Sequence, residues 1–218
     1  MSLQQIHTDF ETELLEPTRV FEELATSKTF KSSNDFTTDE LCIIEGVISR
    51  IWQVWCRFCR RVVLESCQGT TELSGAPIPP LAAANSDGHV SAAAILAWKK
   101  KRVTWHQSNS VLRREPMWGD VDVLLDIVDG LKPNNAAKLK GMCTVSGAGA
   151  KLLQTARNAA AHHNHQSLGE LLNLSSAFSA FPINHACQSV FWVETVSADY
   201  LLPFVLEELK DAAVYAVL

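Results

Sequence analysis

The sequence predicts an all-α fold, a helical bundle with one long central helix, and three observations carry that expectation. Apolar residues at 41, 44, 48, 51, 52, 55, 58, 59 and 62 recur every three or four positions, the period of one helix face. Start and stop signals bracket such runs: Thr37 with Glu40 three residues on makes a capping box, and Gly69, Gly130 and Pro133 stand where runs end. The composition, 47% hydrophobic and 20% charged, suits a packed core and excludes a disordered chain or a coiled-coil rod.

Residues 1–35 read as two short amphipathic helices, Phe10, Leu14 and Leu15 before Pro17 and Val20, Phe21 and Leu24 after it. They form an N-terminal helical extension to a domain over 36–218. After a loop at Lys31–Asn34, the long helix spans roughly 38–67, with Trp52, Trp55 and Phe58 as core residues. Gly69 to Gly88 is rich in breakers and reads as a long loop with a polyproline turn. Asp87 caps an Ala-rich helix over about 90–103, and 103–107 stays open between helix end and short strand. Val121 to Val128 gives a short helix closed by Gly130 and Pro133, and Asn135 caps another that reaches Met142. Ser146–Gly149 lacks the Lys and Ser/Thr of a phosphate loop and starts a helix over about 148–161. His163–Gln166 breaks it, Ser167 begins the next, and 187–193 is a turn or lone strand before a final helix over about 197–216.

The bulk properties exclude several classes. The most apolar stretch, Leu41–Leu64, contains Glu45, Arg50, Arg57, Arg60 and Arg61 and is too costly to place in a bilayer. Asp9, Glu11, Glu13 and Glu16 stand where a signal peptide needs basic and apolar residues, so no membrane association and a cytoplasmic location are expected. Six cysteines show no disulfide framework, and Cys56-x-x-Cys59 lacks the second ligand pair of a zinc site, so reduced, buried thiols are expected. Net charge is −5, yet Lys99–Arg157 carries 11 Lys/Arg against 5 Asp/Glu. That basic middle suits a polyanion, or is a solvated helix face around Lys99–Arg102.

Three of the seven histidines, His162, His163 and His165, follow directly on a helix that also supplies Arg157 and Asn158. At about 100° per residue, Leu152, Leu153, Ala156, Ala159 and Ala160 share one apolar face of that helix. Arg157, Asn158 and His162 fall off it, whereas His163 points back toward it. Imidazole moves protons near neutral pH, guanidinium binds phosphate and stabilises charge on it, and an amide can orient either.

Arg157-Asn158-Ala-Ala-Ala-His162 resembles the motif of the HEPN superfamily, helical domains with an Arg, four to six residues and a His, often with a polar residue directly after the Arg. The likeness covers one helix end together with the helical background. It implies a metal-independent endoribonuclease with Arg157, Asn158 and His162 as catalytic residues, no cofactor and no metal. It also implies RNA as partner, a homodimer whose motifs face one cleft, and a toxin or defence role with an antitoxin protein. Three other readings stand beside it: a metal site at His162, His163 and His165, a polar helix end, and a non-catalytic module that binds nucleotide, RNA or a protein. His7, His89, His106 and His185 read as isolated surface or packing residues, and Trp105-His106 as an outlying RNA contact.

Overall fold

The structure, a computed structural model, describes residues 1–105, 114–145, 147–162 and 164–218. Among these residues the fold is helical: α1 (Leu3–Ser27), α2 (Thr38–Gln68), α3 (Asp87–Trp98), α4 (Val121–Leu131), α5 (Ala136–Val145), α6 (Gly147–His162), α7 (His165–Leu174) and α8 (Leu201–Val217). Two minimal antiparallel hairpins interrupt them, β1 (Thr70–Thr71) with β2 (Pro77–Ile78), and β3 (Phe178–Ser179) with β4 (Val193–Glu194). The all-α expectation holds. No helix among the described residues is long and apolar enough to cross a membrane.

α2 begins at the capping box that the sequence shows. The Thr37 backbone N–H donates to Glu40 Oε2 at 2.7 Å, and that of Glu40 donates to Thr37 Oγ1 at 3.3 Å. α1 departs from expectation, because one helix runs straight through Pro17. Proline removes a helix hydrogen bond, but Leu3, Ile6, Phe10, Leu14, Pro17 and Phe21 make one unbroken buried stripe, and burial of that stripe outweighs the lost bond.

The chain divides into two compact units, one of residues 1–11, 55–147 and 210–218, the other of 12–54 and 148–209. The first is organised around Trp55, which is fully buried and donates its indole N–H to the Gly119 carbonyl at 3.1 Å. Phe10 packs on Phe58 with ring centroids 4.6 Å apart. Gly130, expected to end α4, lies inside it, since a Cβ there would stand 2.4 Å from that of Ala97. The helix stops two residues later, at Lys132 in a left-handed conformation. α3 also stops earlier than expected, at Trp98, and Ser86 rather than Asp87 is its cap, with Ser86 Oγ accepting from the His89 N–H at 3.3 Å. The breaker-rich loop folds back as the β1–β2 hairpin, entered at Gly69, whose φ of +93° and contact with Pro80 leave no room for a side chain.

One half-buried ion pair in this unit gives a pH prediction. Arg60 Nε and Nη2 each donate to Glu115 at 2.9 Å, and Trp118 Nε1 donates to Glu115 Oε2 at 3.1 Å. Burial raises the Glu115 pKa, but the bonds from Arg60, Ser91 and Trp118 outweigh it, and the net direction is downward. A depressed carboxylate contributes stability above its unfolded pKa of about 4.3 and loses it as pH falls through the folded value. Glu115→Gln is therefore less stable than wild type at neutral pH, and urea titrations should show that gap narrowing as pH drops below about 4.

The second unit centres on an aromatic cluster. Phe191 lies 4.3 Å from Phe30, 5.1 Å from Phe21 and 5.4 Å from Tyr200, centroid to centroid. Phe191 ends a 3₁₀ helix over Ala186–Phe191, which occupies most of the stretch left open as a strand, and β4 starts only at Val193. Residues 103–105 are not strand, and 106–107 lie outside the described residues.

Candidate functional site

α6 carries the motif and is set by its small residues. Leu152, Leu153, Ala156, Ala159 and Ala160 are buried as the helical wheel requires, and at Gly149 the helix passes so close to α8 that a Cβ would meet that of Glu208 at 2.6 Å. Arg157 and Asn158 are half-buried and His162 is exposed, all three off the buried stripe. Arg157 Nη1 donates to Asn158 Oδ1 at 3.1 Å. Among the described residues no carboxylate forms an ion pair with Arg157.

Arg157 opens onto a depression of about 150 Å³ lined by Glu45, Ile48, Ser49, Arg157, Ala160 and Ala161. Positions 157, 160 and 161 are neighbours on one helix face. His162 lies outside that lining. A residue five places along a continuous helix is turned by about 140°, so Arg157 and His162 of one chain diverge. The structure thus brings Arg157 and Asn158 together and leaves His162 on the last turn of α6.

Of the other two clustered histidines, His165 is exposed as the first residue of α7, whose N-cap is Asn164 rather than the expected Ser167 start. Asn164 Oδ1 accepts from the Ser167 N–H at 2.9 Å. His163 and the Trp105-His106 pair's histidine lie outside the described residues. The basic run Lys99–Arg102 is exposed, with Lys100 Nζ 3.5 Å from Asp126, as a solvated face would be.

A residue the sequence reading passed over stands beside Arg157. Glu45, which lines the same depression, has Oε1 3.0 Å from His185 Nε2. The other ring nitrogen, Nδ1, is 3.1 Å from Cys187 Sγ. His185 is isolated in sequence but not in space. The spacing His185-x-Cys187 was a legible signal; the carboxylate 140 positions earlier was not. Cys187 is fully buried, and burial first, then Glu45 and Cys42, pushes its thiol up to about 12. All six cysteines are free thiols. At the Cys56-x-x-Cys59 pair, burial raises Cys59 well above the ordinary range, and neighbouring Cys56 and Cys143 add to it.

No protein-family profile, curated protein or solved structure matches this chain.

Proposed function

We propose that the chain is a metal-independent endoribonuclease of the HEPN type, with Arg157 stabilising the scissile phosphate, Asn158 orienting it and His162 transferring protons. One observation carries this reading: the three motif residues lie off the buried stripe of α6, Arg157 lining a depression while hydrogen-bonded to Asn158, and His162 open at the helix end. RNA supplies its own nucleophile, the 2′-hydroxyl, so the protein needs only a group that moves protons near pH 7 and a fixed cation for the charge that builds on phosphorus.

The divergence of Arg157 and His162 on one helix gives a reason for pairing. In a twofold dimer through the motif face, His162 of one copy would stand opposite Arg157 of the other, so the working site is shared. A role as a toxin or defence effector, with an antitoxin protein as partner, goes with that reading. The second reading, a helical module that binds nucleotide, RNA or a protein without cutting, is favoured by the exclusion of His162 from the depression and the presence of Glu45 within it.

The test is incubation of the purified protein with single-stranded RNA and an excess of chelator. Expected are a dimer by light scattering at tens of micromolar and 5′ fragments ending in a 2′,3′-cyclic phosphate. Cleavage that requires added divalent metal ends the nuclease reading, and RNA binding without cleavage leaves the module.

A further inference from the structure

We propose that Glu45, His185 and Cys187 form a binding site for a borderline-soft divalent ion, zinc by its chemistry. The three side chains can each aim one ligand atom at a common region, those atoms lying within 4.8 Å of one another. The contacts already made are His185 Nδ1 to Cys187 Sγ at 3.1 Å and His185 Nε2 to Glu45 Oε1 at 3.0 Å. Around a tetrahedral zinc, with bonds of about 2.0–2.3 Å, neighbouring donors stand roughly 3.3–3.8 Å apart. The two existing contacts are slightly shorter than that, but they use opposite ring nitrogens and the three donor atoms spread over as much as 4.8 Å, so the side chains re-aim by about an ångström on binding. The imidazole offers one nitrogen to the ion, so binding exchanges one of its two present contacts for a metal bond.

The donor set decides the class of ion. Magnesium and calcium are held by oxygen ligands, whereas one sulfur, one ring nitrogen and one carboxylate suit zinc. On binding, the thiol proton leaves to solvent as the Zn–S bond forms, and no oxidant or reductant is needed. Three protein ligands leave a fourth position, and Glu45 places the cluster at the depression that Arg157 lines.

The scaffold under the trio is rigid. His185 and Cys187 sit at the start of the 3₁₀ helix, where Gln188 Oε1 accepts from the backbone N–H groups of Asn184 at 2.8 Å and His185 at 3.0 Å. Gln188 Nε2 in turn donates to the Ser33 carbonyl at 3.0 Å. Glu45 comes from α2. Two ligands two residues apart on a pinned turn, with a third on a long helix, resist the collapse that would otherwise oppose binding.

This site does not depend on the nuclease reading, and its test has a separate readout. Metal-free protein is titrated with Co²⁺ and then with Zn²⁺, followed by absorption. Expected are one cobalt per chain, a thiolate-to-cobalt charge-transfer band with the visible bands of tetrahedral cobalt, and loss of both when zinc displaces it. Cys187→Ser, checked for folding by circular dichroism and paired with Cys187→Ala, should abolish the charge-transfer band. His185→Ala and Glu45→Gln should weaken binding by about tenfold or more. The double variant Cys56→Ser/Cys59→Ser and the variant His162→Ala should keep the full spectrum. No saturable cobalt uptake, or a thiolate band that survives loss of Cys187, overturns the proposal. Loss of RNA cleavage in a protein that still gives the cobalt spectrum counts against the nuclease reading alone.

Discussion

On the proposed nuclease reading, replacing Arg157 or His162 with Ala should lower RNA cleavage by about two orders of magnitude or more, the usual loss when a proton-transfer group or a charge-stabilising donor is removed. The thermal midpoint should stay close to wild type, since neither side chain belongs to the buried stripe of α6 and Arg157 gives up only its 3.1 Å bond to Asn158. Arg157→Lys should recover little, because an ammonium keeps the charge but not the forked donor geometry that matches a phosphate. The divergence of the two side chains supplies a sharper check. If the site is shared, mixing and refolding Arg157→Ala with His162→Ala restores activity, because a mixed dimer contains one site with both residues intact. Each site built within one chain would leave the mixture as inactive as its parents. Full-rate cleavage by either single variant would remove that residue from the chemistry.

The second large effect is on stability. Trp55→Ala should cost about 3–5 kcal/mol, the range for deleting a fully buried aromatic side chain, before counting the Gly119 carbonyl left without its indole donor. Against a typical total of about 5–15 kcal/mol, that removes much of the stability of the fold. Trp55→Phe separates the two contributions. It keeps most of the apolar volume but orphans the carbonyl, at about 1–3 kcal/mol. Trp98, 36% exposed at the end of α3, is the control, and Trp98→Ala should shift a urea midpoint little. Equal losses at 55 and 98 would contradict the burial of Trp55.

The elements whose shape depends on their own residues were legible without the structure. α2 was expected over roughly 38–67 and spans Thr38–Gln68, because its cap is a local exchange of hydrogen bonds between Thr37 and Glu40 and its apolar period needs no partner to be seen. The buried face of α6 followed for the same reason. Features set by a distant neighbour were not legible. Pro17 signalled a break, but the stripe on either side of it is buried and holds α1 in one piece. Gly130 looked like a stop and is instead the place where Ala97 comes close.

The candidate site divides along the same line. Sequence by itself determined that Arg157, Asn158 and His162 turn from the core of α6, since that follows from 100° per residue alone. That Arg157 alone of the three lines a depression, that Glu45 lines it too, and that Glu45 meets the His185–Cys187 turn, was decided only by tertiary structure. Helical periodicity assigns a side chain to a face. It carries no information about which segment, 112 residues away in the chain for Glu45 and Arg157, the packing of the core will place opposite that face.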